Sequence, residues 1–298
     1  MGVDPVAVCG PVNLETSVPV GAFPIVASRR RKVHGIESHV SGIAWNVAAG
    51  LSALGSPVRL TAITGTDRVG RFIRDQLSEL PGVDVTYVDL PDSPQTVVLL
   101  GGDGSRAVLS DLRAAPSARI GTELDLAGCS AFVPVSIPAN LPALARAEEA
   151  KTPVFVDIQS VAAVNDPDLE PFCHVAQVLA MSSANIPCSP EEWLRQMGDR
   201  YGTPVMVLGL AERGALLARD RGRRIDHVPA AAARVASTVG AGDALWACFV
   251  DGYLRSGDAL WALERAVVAA AHKVASIGGA QGLITASELQ SMGWAPPS

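Results

Sequence analysis

Ser237-Thr238-Val239-Gly240-Ala241-Gly242-Asp243-Ala244 is the stretch of this sequence that most restricts the fold. It follows a strand-like segment and opens an apolar helix predicted over Ala244–Tyr253. Gly240 and Gly242 allow the backbone to turn tightly and to approach a ligand closely. The free N–H groups at the start of the helix would point outward, with the positive end of the helix dipole behind them. The stretch therefore predicts a strand–turn–helix junction that binds an anion.

Asp243 stands inside this predicted anion site, where a carboxylate has no obvious place. The arrangement makes sense if the carboxylate takes a proton from an attacking hydroxyl while the amides hold phosphoryl oxygens. A plainer interpretation is an ordinary loop, with Asp243 as a helix-start residue favoured by the dipole. Taken alone, the motif leaves both interpretations open.

A second helix is predicted to open at Ser41-Gly42-Ile43-Ala44-Trp45-Asn46. Gly42 and Asn46 are four residues apart and so share one helix face. Gly42 allows a close ligand, and the Asn46 amide offers donors and an acceptor for hydroxyl groups. The alternative is a tight helix–sheet contact with a satisfied buried amide. Trp45 is more typical of a core residue than of a ligand platform.

Short apolar runs alternate with amphipathic runs along most of the chain, which favours βα units around a mainly parallel sheet. The predicted strands are Val6–Cys9, Val58–Thr64, Ala131–Val135, Val154–Asp157, Gln177–Met181 and Val205–Gly209, with a hairpin of Ala215–Ala218 and Arg224–Val228. The predicted helices are Ile43–Leu54, Val69–Leu80, Leu141–Ala150 and Pro190–Tyr201, the last capped by Ser189. From Ala241 the chain is predicted to be helical almost to its end, with breaks near Ser256-Gly257 and Gly278-Gly279. Residues 14–40 and 95–113 look like strands without helices between them and suggest a small β-lid.

Composition excludes several classes of protein. The 298 residues are 48% hydrophobic and 18% charged, which is enough for a large core. A net charge of −6 gives no basic footprint, so no nucleic-acid partner is expected. Five scattered cysteines form neither a disulfide framework nor a zinc signature. With no signal-peptide pattern and no apolar run of about 18 residues, we expect a cytoplasmic protein with no membrane partner.

Together the motifs resemble those of the ribokinase-like (PfkB) family of sugar and nucleoside kinases, and the resemblance runs nearly end to end. The stretches that carry it are Gly10–Glu15, Ser41-Gly42 with Asn46, Gly65/Asp67/Gly70, Val207–Gly214 and, most specifically, Ser237–Asp243. The family implies a three-layer α/β/α sandwich with a mainly parallel central sheet and a small β-sheet lid. It also implies one kinase domain over residues 1–298, with the lid contributed by residues 12–40 and 95–113.

The resemblance also implies roles for individual residues in an ATP-dependent phosphotransferase. Asp243 would be the general base, and the amides of Gly240, Ala241 and Gly242 would form the anion hole. The residues implied for substrate binding are Asn13, Glu15, Gly42 and Asn46. Those implied for nucleotide binding are Asn185, Gly209, Glu212, Gly214, Thr238, Gly240 and Gly242, with adenine near residues 271–278. Mg²⁺ would accompany the ATP, and no protein ligand for it can be named.

Three positions depart from the family pattern. Ser237 replaces an Asp that helps to order the anion hole and a nearby monovalent-cation site, so potassium dependence is in doubt. Glu15 stands where the family usually has Asp and is one methylene longer. No Glu follows Asn185 at the spacing of the family's N-x-x-E motif, which affects metal handling.

These observations lead to an ATP-dependent kinase acting on a hydroxymethyl group of a small sugar or nucleoside, with a possible homodimer through the lid. The alternative is a catalytically impaired protein of the same fold that binds sugar or nucleotide in a regulatory role. A nicotinamide-dependent oxidoreductase is disfavoured because Gly10-Pro11-Val12-Asn13 is not a G-x-G-x-x-G motif. A Walker-type NTPase is excluded because the sequence has no G-x-x-x-x-G-K-[ST].

Overall fold

A computed structural model describes residues 4–25 and 30–294, which form thirteen strands and eight α-helices. The strands are β1 (Val6–Pro11), β2 (Asn13–Gly21), β3 (Glu37–Ser41), β4 (Val58–Gly65), β5 (Val83–Leu90), β6 (Gln95–Gly101), β7 (Arg106–Asp111), β8 (Ala131–Pro134), β9 (Val154–Ser160), β10 (Ala176–Ser182), β11 (Val205–Gly209), β12 (Ala215–Arg219) and β13 (Arg224–Val228). The helices are α1 (Ile43–Ala53), α2 (Arg68–Ser78), α3 (Leu141–Glu149), α4 (Glu170–Val175), α5 (Pro190–Tyr201), α6 (Ala241–Ser256), α7 (Ala259–Lys273) and α8 (Ala286–Ser291).

Nine strands form a large sheet in the order β13-β12-β11-β10-β9-β8-β1-β4-β5. The pairs from β11 to β5 are parallel, and β12 and β13 add an antiparallel hairpin at one edge. In β1, Val6 and Val8 pack into one core cluster while Ala7 and Cys9 pack into another. Both faces of the strand are buried, which explains why parallel strands read as continuous apolar runs.

The two core clusters lie on opposite faces of the large sheet and define three layers. One cluster contains side chains of α1, α2, α6 and α7, and the other contains side chains of α3, α4 and α5. The predicted α/β/α sandwich is therefore confirmed.

A second sheet of four strands has the order β3-β2-β6-β7, with β2 and β6 parallel and the outer strands antiparallel to their neighbours. Only Val12 separates β1 from β2, and only Gly42 separates β3 from α1. These short connections hold the small sheet at the carboxyl edge of the large sheet, beside the start of α1. The strands fall inside the two regions predicted to lack helices.

A buried polar network fixes the position of α6. Asp251 is fully buried, and its carboxylate accepts a hydrogen bond from the Ser56 hydroxyl at 2.7 Å. The same carboxylate pairs with Arg255 and Arg265, each at 2.7 Å. Because Arg265 belongs to α7 and Ser56 precedes β4, the network ties α6 to both neighbouring elements. A buried ion pair of this kind restrains geometry more reliably than it adds stability.

The sequence-based boundaries hold within one or two residues for most predicted elements, and Ser189 caps α5 through a bond from the Glu192 amide, as predicted. Two elements were missed, β5 and α4. In β5, half-buried Val83, Val85 and Tyr87 alternate with exposed neighbours, the period-2 signal of an edge strand. The break after α7 is also longer than predicted, since residues 274–285 contain no helix. In residues 4–25 and 30–294, no helix is long and apolar enough to cross a bilayer.

Candidate active site

A cavity of about 300 Å³ lies where the carboxyl edge of the large sheet faces the small sheet. Its polar wall is formed by Asn13, Glu15, Ser41, Asn46 and Asp243. The facing wall belongs to β6, β7 and the residue that follows β7, and its apolar members are Val98, Val108 and Leu112. The cavity thus brings together all four residues predicted for substrate binding, because Gly42 also lines it, and places them beside the predicted base.

The N-termini of α1 and α6 both point into this cavity, and each begins after a glycine with positive φ. Gly42 has φ 106°, and a Cβ there would lie 2.6 Å from Asn13 Oδ1 and 2.7 Å from the Pro11 carbonyl oxygen. Gly240 has φ 77°, and a Cβ there would overlap the Gly279 carbonyl. Both positions therefore require glycine for backbone conformation and for space. Two helix N-termini at one site favour a bound anion.

The turn that opens α6 leaves amide groups free. The first intrahelical bond of this turn runs from the Ala244 amide to the Gly240 carbonyl at 2.9 Å. In the described part of the chain, the amides of Gly240, Gly242 and Asp243 have no backbone partner, while the Ala241 amide makes a long 3.4 Å bond to the Thr238 carbonyl. A Cβ on Gly242 would meet nothing within 4 Å, so this side of the turn is open to a ligand.

Asp243 lies half-buried in the first turn of α6, and its Oδ2 accepts a 2.7 Å hydrogen bond from Asn46 Nδ2. Burial raises the pKa of Asp243 to about 6, with a further upward contribution from the charge of Glu15. The Asn46 hydrogen bond and the charges of Lys273 and Arg106 act in the opposite direction. The carboxyl group is therefore ionised at neutral pH yet more basic than an exposed Asp, as a general base requires.

Glu15 is 4% exposed, and both of its carboxylate oxygens have hydroxyl partners. Oε2 accepts from Ser41 at 2.9 Å, and Oε1 accepts from Ser17 at 3.4 Å. Each carboxylate oxygen has a second lone pair, so the group can still accept a hydroxyl of a ligand in the cavity. Ser41 and Ser17 thus fix the longer Glu side chain against the cavity wall.

Asn46 is 4% exposed, and its Oδ1 has no hydrogen-bond partner in the described structure. A buried acceptor without a partner costs free energy, and a donor from a bound ligand would relieve that cost. The amide nitrogen therefore orients Asp243, while the amide oxygen has no hydrogen-bond partner among the described residues.

The residues predicted for nucleotide binding lie outside this cavity, with the exception of Gly240. Asn185 follows β10, and Gly209 and Glu212 lie at the end of β11 and in the turn after it. These two strands are the next ones along the carboxyl edge after β9, whose Gln159 lines the cavity. Asn185 and Glu212 are exposed. A nucleotide bound along this edge would place its phosphates toward the α6 turn.

Gly214 and Thr238 have contacts that suggest other roles. A Cβ on Gly214 would overlap the Val228 carbonyl, so this glycine permits the close approach of β12 and β13. Thr238 Oγ1 accepts a 2.9 Å hydrogen bond from Arg106 Nη1, which joins the α6 turn to the small sheet. Ser237, at the position where the resemblance implies Asp, is 5% exposed and accepts a 3.2 Å bond from the Val239 amide. Ser237 thus stabilises the turn through a hydrogen bond made by its own side chain.

Two other stretches singled out in the sequence have structural roles. Asp67 caps α2 by accepting from the Gly70 amide at 2.7 Å, and it also accepts from Ser93 at 2.5 Å. Trp45 is 7% exposed in the core and does not line the cavity, which removes it as a stacking platform.

Three charged or polar groups at the site were not identified from the sequence. Arg106 lines the cavity from β7, and Gln159 lines it from the end of β9. Gln159 has φ 60° and is held by Asp157, which accepts from its backbone amide at 2.7 Å and from Nε2 at 2.8 Å. Lys273 is fully buried nearby, at the end of α7. Two features of the sequence could have indicated these residues. One is the D-x-Q at the end of a predicted strand, and the other is a lysine inside an apolar helix.

The described residues offer few side chains that could hold a metal ion. In residues 4–25 and 30–294, no group of three or more His, Cys, Asp or Glu side chains is placed to hold a metal ion. Mg²⁺ usually keeps several waters and binds through one or two protein groups together with substrate phosphates. The donor set of the described residues therefore fits Mg²⁺ carried by a nucleotide and does not form a cage for a resident ion.

Comparison with known proteins identifies the class. Residues 6–286 match the family described as "pfkB family carbohydrate kinase". The chain therefore belongs to the pfkB family of carbohydrate kinases, which confirms the resemblance seen in the motifs.

Individual relatives share the whole length of this chain. The bifunctional protein HldE of Azorhizobium caulinodans is 28% identical over 320 aligned positions, which cover 96% of this chain and 64% of that protein. The chain thus spans just under two thirds of that relative. The microbiome-derived acarbose kinase Mak1 superposes with a TM-score of 0.88 at 21% identity, covering 98% of this chain and 99% of that one. The ribokinase of Arabidopsis thaliana, solved with ribose and ATP, gives 0.77 at 17% identity, covering 98% and 99%.

Proposed function

We propose that this protein is an ATP-dependent phosphotransferase that phosphorylates a hydroxymethyl group of a small sugar or ribonucleoside. The observation that carries the proposal is the position of Asp243. Its carboxylate is fixed by Asn46 inside a cavity, immediately beside free amides at the N-terminus of α6. A base next to an anion site is the arrangement that phosphoryl transfer requires.

In the proposed reaction, Asp243 accepts the proton of the acceptor hydroxyl as its oxygen bonds to the γ-phosphorus. The bond between that phosphorus and the bridging oxygen of ADP breaks, and ADP leaves with the electron pair. The amides of Gly240 and Gly242, supported by Ala241, stabilise the charge on the migrating phosphoryl group. Bound Mg²⁺ would neutralise part of the phosphate charge. Asp243 then releases its proton to solvent.

The cavity supports an acceptor with a polar face and an apolar face. Glu15, Asn13 and Asn46 offer partners for several hydroxyl groups, while Val98, Val108 and Leu112 face them from the small sheet. The names of the relatives agree with such an acceptor, since they include a ribokinase with bound ribose and an acarbose kinase. Because Ser237 orders the turn through its own hydroxyl, we propose that activity does not depend on potassium.

The test is to incubate the purified protein with Mg-ATP and a panel containing ribose, fructose, heptoses and nucleosides. We expect ADP release that depends on one class of acceptor, and a phosphomonoester product visible by ³¹P NMR. Parallel assays in sodium buffer and in potassium buffer test whether activity depends on potassium. Ligand binding by calorimetry without ADP release from any acceptor would instead favour the regulatory binder.

A further inference from the structure

Lys273 is a buried cation that the proposed mechanism does not yet use. It is the last residue of α7 and is fully buried. Its Nζ donates to the Ser276 carbonyl at 3.3 Å, and no carboxylate of the described residues forms an ion pair with it. Burying an ammonium group without an ion-pair partner is costly, so a lysine at such a position needs a reason.

The segment that Lys273 contacts forms one side of the candidate active site. Gly279, three residues after Ser276, lies close to the end of β3 and the start of α1. A Cβ built on Gly279 would be 2.6 Å from Ser41 Oγ on β3 and 2.7 Å from Asn46 Oδ1 on α1. The Gly279 carbonyl also abuts Gly240, at the start of the α6 turn. Lys273 is therefore bonded to the segment whose Gly279 packs against Asn46 and the α6 turn.

The charged groups around Lys273 come from two further elements. Glu15 on β2 and Asp243 on α6 both raise the pKa of Lys273, while burial acts more strongly and lowers it to about 8. His39 on β3 lies against Gly278, and the neighbouring His272 on α7 bonds to the Gly282 carbonyl at 3.1 Å. Lys273 in turn lowers the pKa of Asp243. The ammonium group is charged at neutral pH and acts on both acids of the cavity.

We propose that Lys273 is a positioning residue for phosphoryl transfer, whose buried ammonium group supports the Ser276–Gly279 segment and keeps a fixed positive charge behind Asp243 and the α6 turn. This proposal rests on the proposed function. A fixed charge at this place favours the ionised base before reaction and the negative charge of the phosphoryl group during it. It needs no reorganisation when the reaction occurs. The competing interpretation is a helix-end lysine that only complements the dipole of α7.

The experiment compares Lys273→Met with the wild type and with Lys151→Met, a control at an exposed lysine between α3 and the amino end of β9, away from the cavity. The carboxyl carbon of Asp243 is titrated by ¹³C NMR, with its resonance assigned from Asp243→Asn. In Lys273→Met we expect the titration of Asp243 to move upward by about one pH unit, because a positive charge that favours the ionised carboxylate is lost. Lys151→Met should titrate like the wild type.

Kinetics on the identified acceptor supply the second readout. We expect Lys273→Met to lower kcat by about 10- to 100-fold, less than the loss of a direct donor, with both KM values changed by less than about threefold. Because Lys273 loses its charge near pH 8, we expect the activity of the wild type to fall above that pH. The variant, which has no such charge to lose, should not show this fall. Lys273→Gln, which keeps a polar end for the Ser276 carbonyl, replaces the Met variant if that variant does not fold.

The outcomes separate this proposal from the proposed function. If the wild type phosphorylates no acceptor, the proposed function fails, but the NMR titration still decides whether Lys273 controls Asp243. If the variant shows a wild-type titration of Asp243, or a lowered Tm with that titration unchanged, Lys273 is only a structural helix-end residue and the proposal is overturned.

Discussion

Asp243 is the residue on which the proposed chemistry depends, and its environment separates it from an ordinary helix-start acid. A helix-start Asp normally accepts from the amides of its own first turn, as Asp258 does with Leu260 and Trp261. Asp243 instead accepts from Asn46, 197 positions away in the sequence. The carboxylate is therefore held by another helix and left free of its own, which suits a group that must take up a proton.

Replacing Asp243 by Asn is expected to lower kcat by about 10²–10⁴, the usual range for loss of a general base. The KM for the acceptor should change much less, because the amide still forms hydrogen bonds. Steady-state kinetics with the identified acceptor make the measurement. Asp258→Asn is the matched control, since Asn caps helices as well as Asp does and activity should stay at the wild-type level. Full activity in Asp243→Asn would contradict the assignment.

The turn between Ser237 and α6 shows why two glycines of one motif have different reasons to be there. Gly240 is required by its positive φ and by the Gly279 carbonyl against it. Gly242 has ordinary helical φ and open space around it. Packing explains the first glycine, whereas no packing contact explains the second, which is consistent with the proposed phosphate site at its open face.

Gly242→Ala is expected to fold as well as the wild type, with a gain of up to about 0.5–1 kcal/mol because Ala is the better helix residue. Its activity should nevertheless fall, with a raised KM for ATP, since the new methyl group would occupy the face where phosphate binds. Thermal melting and kinetics on the same preparation make the comparison.

The control for this variant is Gly70→Ala in α2, where a Cβ would overlap the Gly65 carbonyl. That variant should lose thermal stability instead of gaining it. If Gly242→Ala retains wild-type kinetics, the open face of the turn is not the phosphate site.

At the scale of the whole molecule, the two sheets face each other across the cavity, and a direct hydrogen bond from Arg106 to Thr238 joins the small sheet to the turn before α6. The bond is 2.9 Å long and joins β7 to the α6 turn. A movement of the small sheet over a substrate would therefore be transmitted through this bond to the proposed anion site at the α6 turn. Asp111 and Arg113, which also belong to this region, form an exposed ion pair with each other at 3.2 Å.

Arg106→Gln and Thr238→Val are each expected to raise the KM for the acceptor severalfold. The double variant should be no worse than the poorer single variant, which corresponds to a coupling of about 0.5–1.5 kcal/mol. Arg113→Gln provides a control arginine on the same side of the molecule and should leave KM unchanged. Strictly additive effects of the two substitutions would show that the hydrogen bond does not serve closure.

The pH dependence of stability is a second property of the whole molecule. Burial raises the pKa of Asp157 to about 7 and that of Asp243 to about 6. Both values lie above those of the unfolded chain, so the folded state binds more protons between about pH 4 and pH 7. The contribution of these groups to stability is present at the acidic end and is lost as pH rises through the folded pKa values.

We therefore expect the free energy of unfolding to be larger at pH 5 than at pH 8 by about 1–3 kcal/mol, after allowance for partial exposure. In urea titrations this appears as a higher midpoint at pH 5. In Asp157→Asn the difference should shrink, since the group that titrates near 7 is gone. Asp125→Asn, an exposed member of an ion pair with Arg59, should leave the difference intact. A midpoint that is the same at both pH values in the wild type would refute this account of the buried acids.

Local patterns predicted most of the elements and part of the site. The apolar strands, the Ser189 cap and the glycine turn before α6 follow from rules that act over a few residues. Gly42, Asn46 and Asp243 were identified from local patterns, Asn13 and Glu15 from the family resemblance, and all five meet in one cavity. Strand β5 was missed because exposed polar residues interrupt its apolar ones and dilute its apolar signal. Arg106, Gln159 and Lys273 were missed because nothing near them in the sequence indicates what they face.

What the sequence determined by itself is the layered fold and the turn at Gly240–Gly242, because backbone conformation and alternating burial are encoded by neighbouring residues. What only the tertiary structure decided is the electrostatics of the site: the bond from Asn46 to Asp243, the charge of buried Lys273, and the bond from Arg106 to Thr238. The physical reason is distance along the chain. These interactions join residues separated in the chain by 30 positions (Asp243 and Lys273) to 258 positions (Glu15 and Lys273), so their strength depends on burial and proximity that exist only once the sheets and helices have packed together.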